Sequence, residues 1–335
     1  MTQWLKYGSF SLGLLFIASL LYLISATVEP VYPLLTQRYT QLLEQKDHIE
    51  FLTIGSSHSV AIDFEAMGIQ GYHLWDFGED LFESEYKTRY ILNQLPQLKV
   101  VFLTLPYPIF VHDNAHSELG AMYNNRAKLH FISAEFDVIH GDLNSLFKGK
   151  LAPIARYDHW VFLPKHVFLN QDEITPVIET VSIEHLGTDG NMRGEVAGFT
   201  DAEQLHEVAI EKLQNHLRYV AKTQALEAHI QEKTRTALIQ LVELLKKRNI
   251  QLITYTPPFY ESYLEHFPLQ LHQSFQENLQ ILVRDHGLQH IDFSRSANFI
   301  HRPIYFQDGN HLSSDGARAF SKQFAAHLKA NKLIP

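Results

Sequence analysis

Apolar residues fall along this chain in three patterns, and each predicts a different kind of element. The first is one uninterrupted block. Residues 7–28, YGSFSLGLLFIASLLYLISATV, contain no charged side chain. About 20 such residues in a helix cross a bilayer core of about 30 Å, so the block predicts a transmembrane helix that anchors the chain over residues 1–29. Lys6 precedes the block and Glu29 follows it. The positive flank stays in the cytoplasm, which puts residues 30–335 outside it. Small residues at Ser25, Ala26 and Thr27 keep a cleaved signal peptide as the competing expectation.

The second pattern is a set of short strand-length runs. Ile49–Ile54 is apolar and broken by Gly55, while Gly71–Phe77 alternates and is closed by Gly78. Leu98–Leu105 is β-branched and apolar, and stops at Pro106 and Pro108. Gln251–Thr256 stops at Pro257-Pro258, and Gln289–Phe293 follows. Runs of this length bounded by glycine and proline predict five strands, the first of them buried. The third pattern is helical spacing. It predicts helices at Tyr32–Glu44, Glu79–Leu95, Leu269–Asp285 and 314–331, and one or two within Asp201–Arg248. In that last segment Leu205, Val208, Ala209, Leu213 and Leu217 recur on one face, and Asp201 is placed to start it. Strands alternating with helices predict an α/β domain with a mostly parallel sheet. About residues 107–240 form an insertion in that pattern, weakly periodic as far as residue 200, and are expected to lie over the sheet edge as a lid.

Charge and composition narrow the chemistry. The net charge is −9 and the pI is near 6.1, whereas a nucleic-acid partner needs clustered Lys and Arg, so none is expected. The chain has no cysteine, which removes disulfides, thiolate metal sites and Cys nucleophiles. It has 20 histidines but no HExxH pattern. His112 and His116 share helical spacing without a third ligand nearby. No metal and no cofactor is therefore expected.

Two short motifs carry candidate chemistry. Gly55-Ser56-Ser57-His58 stands at the carboxyl end of the first strand, where open α/β sheets build their sites. A serine on such a turn can present its hydroxyl and its own N–H to a bound ester. A plain turn explains the same residues. Asp308-Gly309-Asn310-His311-Leu312-Ser313 stands just before the last helix. A serine hydroxyl needs a base, and histidine serves near neutral pH. An aspartate three residues before that histidine can hold its other nitrogen. A helix start capped by Ser313 or Ser314 is the simpler alternative.

Taken together, in the order Ser, Asp, His, the motifs resemble those of the SGNH (GDSL-like) hydrolases. The resemblance spans about residues 49–331 and is carried by GSSH and DGNHLSSDGARAF. It implies a three-layer α/β/α, flavodoxin-like fold, with Ser57 as nucleophile and Asp308 and His311 completing a catalytic triad. It implies an oxyanion hole from the N–H groups of Ser57 and Gly78, with Gly71 as the alternative to Gly78. The anchor and insertion look most similar to bacterial envelope members, such as the teichoic-acid D-alanylation protein and accessory proteins that O-acetylate exopolysaccharides. That similarity implies a serine esterase or O-acyltransferase at the bacterial inner membrane, single-pass, with its catalytic domain in the periplasm. The expected partners are the membrane, a membrane acyltransferase, and a glycan or acyl-ester substrate. A non-catalytic accessory or binding subunit is the alternative.

One departure from the family pattern stands out. The third block normally supplies an oxyanion-hole Asn, but here the strand runs into Leu105-Pro106-Tyr107-Pro108. Tyr107 and Asn310 are the candidate replacements. His58 either lines the pocket or is a satisfied residue at a helix start. Arg126 either clamps an anionic substrate or forms a surface ion pair. Tyr260 and Tyr263 either stack on a sugar or pack in the core.

Overall fold

The computed structural model describes residues 32–111, 186–192, 194–217 and 224–334, with a few helical positions between 13 and 20. The chain divides into two compact units, Met1–Tyr39 with Arg126–Ile183, and Thr40–Asn125 with Glu184–Pro335. Of the first unit, the described part is those helical positions and the opening turns of a helix that begins at Tyr32. The expected anchor over 7–28 lies largely outside the described residues. Among the described residues no helix is long and apolar enough to cross a membrane.

The second unit is an α/β domain. Helix α1 is Tyr32–Glu44, continued from the first unit, and is followed by β1 (Phe51–Ile54), α2 (Phe64–Met67), β2 (Gly71–His73), α3 (Leu81–Ile91) and β3 (Val100–Thr104). Next come α4 (Ala202–Leu217), α5 (Gln224–Lys246), β4 (Gln251–Thr256), α6 (Glu261–His266), α7 (Leu269–His286), β5 (Gln289–Asp292) and α8 (Ser314–Ala330). The five strands form one sheet in the order β2-β1-β3-β4-β5, and every pairing is parallel. This is the flavodoxin-like order, in which the chain reverses direction across the sheet between β1 and β3. Ligands in such sheets bind beyond the carboxyl ends of the strands at that crevice.

The central strands β1, β3 and β4 are short and almost wholly buried because helices cover the sheet on both faces, whereas β5 at the edge, Gln-His-Ile-Asp, stays exposed or half-buried. Helix α8 packs with α2 and with the turn after β1, while α5 packs with α3 and α7. Phe320 and Phe324 of α8 are fully buried and meet Tyr255 of β4 and Phe293 after β5, with Phe324 also against Phe102 of β3. Helix starts follow their capping residues. Asp201 accepts from the N–H groups of Glu203 (2.9 Å) and Gln204 (3.4 Å) ahead of α4. Asp80 and Glu83 form a reciprocal capping box on α3, so that helix begins two residues later than its periodicity predicts. Ser313 caps α8 by accepting from Gly316 N–H at 3.1 Å.

Strand β2 is shorter than the predicted Gly71–Phe77, yet its continuation stays beside β1. Leu74 N–H donates to the Thr53 carbonyl at 2.8 Å, and Asp76 N–H to the Gly55 carbonyl at 2.9 Å. The loop carrying Gly78 is thus fastened to the turn carrying Ser57.

Candidate active site

The turn after β1 owes its shape to Gly55. Its φ is +107°, and a Cβ there would lie 3.1 Å from both Leu103 Cδ1 and Thr104 Oγ1. Only glycine meets both demands without strain. The chain then enters a 3₁₀ turn, Ser57–Ala61. Ser59 fixes that turn, since its hydroxyl donates to the Ile54 carbonyl at 2.8 Å and meets Thr104 Oγ1 at 3.2 Å. Ser57 is left half-buried at the start of the turn. The first N–H groups of a helical turn have no carbonyl partner within it, so the turn Ser57–Ala61 does not itself use the Ser57 N–H.

The second segment closes on itself. Phe306 and Leu312 bridge antiparallel, and Gln307 N–H donates to the His311 carbonyl at 3.1 Å. Inside that loop Asp308 Oδ1 accepts from the N–H groups of Asn310 (2.9 Å) and His311 (2.8 Å). Gly309 is the point of closest approach. A Cβ there would sit 2.7 Å from Ala209 Cβ on α4 and 3.2 Å from Tyr263 Cβ on α6.

These two segments bring Ser57, His311 and Asp308 together. Ser57 Oγ lies 2.9 Å from His311 Nε2, and His311 Nδ1 lies 3.0 Å from Asp308 Oδ2. A carboxylate only accepts hydrogen bonds, so Nδ1 carries the proton and Nε2 is free to accept from the serine hydroxyl. Burial by itself would push the Asp308 carboxyl up. The His311 ring, Lys212 and the Asn310 N–H outweigh it and hold that carboxyl well below the ordinary range.

A second serine–histidine pair lies against the first. Ser56 Oγ is 3.1 Å from His58 Nδ1, and the His58 ring stacks on His311 with centroids 4.4 Å apart. His58 Nε2 meets Asn310 Nδ2 at 2.7 Å, and the same amide nitrogen lies 3.4 Å from His216 Nδ1. An amide NH₂ facing two ring nitrogens donates to both, so in the neutral ring His58 Nδ1–H donates to Ser56. Burial, then the His311 and His216 rings, hold the His58 imidazole well below its ordinary range.

The remaining sequence-derived candidates divide. Gly78 sits in the fastened loop after β2 with φ +60°. Beside it the buried Glu79 carboxylate accepts from Ser84 and from Lys87, which also donates to the Leu74 carbonyl. Gly71 pairs with Phe51 at the opposite end of β1 from Ser57, where a Cβ would strike the Phe64 ring at 2.4 Å, so its role is packing. Tyr107 is buried among Phe259, Phe267 and Phe275, with its hydroxyl 2.6 Å from Ser294 Oγ. Its hydroxyl is thus engaged away from the serine, as the Asn310 amide is on His58. Tyr260 and Tyr263 are buried core residues. Arg126, His112 and His116 lie outside the described residues. Among the described residues no group of three or more His, Cys, Asp or Glu is arranged to hold a metal ion.

Two contributors were not singled out by sequence reasoning. Lys212 Nζ lies 3.1 Å from Asp308 Oδ2, and His216 Nδ1 lies 3.1 Å from the Tyr263 hydroxyl. Both project from α4 at i, i+4 spacing, beside the buried stripe Leu205, Ala209 and Leu213. That spacing is the signal that was available, since it places them on one face. No family model matches the chain, and no match to a curated protein is found.

Proposed function

We propose that this protein is an SGNH-type serine esterase or O-acyltransferase acting on a cell-envelope glycan or polymer. The observation that carries the reading is the hydrogen-bonded line from Ser57 Oγ through His311 to Asp308, at 2.9 Å and 3.0 Å. It lies at the reversal point of a parallel sheet, where such sites form.

The chemistry follows from the proton positions. Ser57 Oγ attacks the ester carbonyl while its proton passes to His311 Nε2. Asp308 stabilises the imidazolium that results. The tetrahedral oxygen is held by backbone N–H groups, with Ser57 and Gly78 as the donors. Collapse expels the alcohol, which takes the proton from His311 and leaves an acyl–Ser57 ester. Water or a polymer hydroxyl then attacks, gives its proton to His311, and returns Ser57 to its starting form. Which acceptor wins depends on water exclusion from the pocket. An N-terminal anchor at the bacterial inner membrane, with the domain in the periplasm, would hold the serine beside a membrane acyltransferase partner and favours transfer.

One observation favours a second reading, a non-catalytic accessory or binding subunit with the same scaffold. The strand-end Asn is missing, and both Tyr107 and Asn310 are engaged elsewhere. Loss of one oxyanion donor costs about 10²–10³ in rate.

The test uses the full-length chain in detergent with p-nitrophenyl acetate, compared with an equally folded Ser57→Ala variant. Nitrophenolate release above background that vanishes in the variant supports the acyl-enzyme reading, and added glycans then separate transfer from hydrolysis. Equal background release from both moves the weight to the accessory subunit.

A further inference from the structure

Helix α4 reaches the Asp308 loop at three points. Ala209 packs against Gly309, Lys212 meets the Asp308 carboxylate, and His216 meets the Asn310 amide. The Lys212 contact is the one that changes the chemistry. Asp308 is buried, with 11% of its side chain exposed, and Lys212 is 32% exposed. A buried carboxylate beside a neutral imidazole is uncompensated, and a cation at 3.1 Å supplies the missing charge. The same cation opposes any positive charge placed on the imidazole across the carboxylate.

We propose that Lys212 is a positioning residue that acts through Asp308, compensating its charge in the resting site and making His311 release its proton more readily than a serine–histidine–aspartate line without a lysine would. The proposal rests on the acyl-enzyme reading for its catalytic meaning, but not for its electrostatic content. The His58 ring from the turn after β1 stacks on His311 and Asp308 on its own loop meets its Nδ1, while Lys212 from α4 and Tyr263 from α6 lie close to Asp308 and His216 from α4 meets the neighbouring Asn310 amide. His58 is held neutral by burial and by the neighbouring rings. Tyr263 is held neutral by burial, with Asp308 acting in the same direction. The Lys212 ammonium, 3.1 Å from the Asp308 carboxylate, supplies the positive charge in this group.

Three variants separate charge from shape. Lys212→Gln removes the charge and keeps a donor for Asp308. Lys212→Met removes both, and Lys212→Arg keeps both. Two readouts are taken on full-length protein. One is the pH midpoint of the His311 ring by NMR with histidine labelled at Cε1, the signal being assigned by its loss in His311→Asn. The other is the rate at which a fluorophosphonate modifies Ser57, followed against pH.

The midpoint is expected to rise by on the order of one pH unit in Lys212→Gln and Lys212→Met, and to stay in place in Lys212→Arg. Below that midpoint Ser57 modification slows by about tenfold in the two neutral variants, and above it the rate is retained. An unchanged or lowered midpoint in Lys212→Gln overturns the proposal, because it leaves Lys212 a purely structural contact. If the fluorophosphonate modifies Ser57 in no form of the protein, the acyl-enzyme reading falls while the ring titration still decides the role of Lys212.

Discussion

Two serine–histidine pairs lie side by side in this protein, and they end differently. Ser57 and His311 end on the carboxylate of Asp308, whereas Ser56 and His58 end on the amide of Asn310. The rings are stacked, so burial and surroundings are nearly shared. The terminal group therefore sets the difference. A carboxylate takes the Nδ1 proton of His311 and turns Nε2 toward its serine as a base. An amide donates to Nε2 of His58, so Nδ1–H points at Ser56 and cannot take that hydroxyl's proton. The carboxylate also stabilises an imidazolium, while the amide leaves His58 to be kept neutral by burial. Under the proposed mechanism only Ser57, of the two adjacent serines, faces a base that can take its proton.

The sharpest test of this contrast removes the armed serine. Ser57→Ala is expected to lower esterase kcat by about 10⁶, the scale seen when a serine nucleophile is deleted. Asp308→Asn makes the first line end as the second does. It is expected to cost about 10⁴ in kcat through loss of the correct tautomer, with the fold retained by circular dichroism. Asn310→Asp works in the other direction by giving His58 a carboxylate. His58 then gains proton affinity, and a cation stacked on His311 opposes the imidazolium formed in each turnover. A fall in kcat of about tenfold or more near neutral pH is expected, together with a higher NMR titration midpoint for His58.

The pairs also separate in stability against pH. The folded His58 imidazole is held below its ordinary value of 6.5, so an unfolded chain binds a proton that the folded one refuses. Its contribution is complete above about pH 6.5 and is lost as pH falls from there. Asp308 is likewise held low, but its contribution is lost only as pH falls below the ordinary carboxyl value of 3.8. Thermal denaturation followed from pH 8 to pH 3, as an experimental range, is expected to show His58→Asn flattening the upper part of the curve and Asp308→Asn the lower. The smallest effect is expected from Ser56→Ala, within about threefold in kcat, because Ser56 gives up no proton in the reaction. A larger loss would show that the second pair is armed after all.

The centre of the sheet was legible in the sequence because β1, β3 and β4 are compact, largely apolar runs ended by Gly55, Pro106 and Pro257. That Ser57, Asp308 and His311 would meet was legible for a similar reason, since each half of the arrangement is local. Gly55 shapes the turn for Ser57, and Asp308 binds the N–H groups of its own loop. The second pair was not, because His58, Asn310 and His216 meet only through tertiary packing and none announces its partner. Lys212 was hidden in the same way, reading as one polar position on an amphipathic helix. The candidate donors Tyr107 and Asn310 stand at the strand end and inside the Asp308–His311 motif, but Ser294 and His58, their hydrogen-bond partners, are 187 and 252 residues distant.

Ser57 and His311 are themselves separated by 254 residues. A ribosome adding about 5–20 residues per second therefore exposes the serine roughly ten to fifty seconds before its base is made. Throughout that interval the growing chain carries an inert hydroxyl. Under the proposed mechanism a chain that stalls or is clipped before Asp308 and His311 stays chemically silent, so the late position of the base serves as the protein's own safety catch.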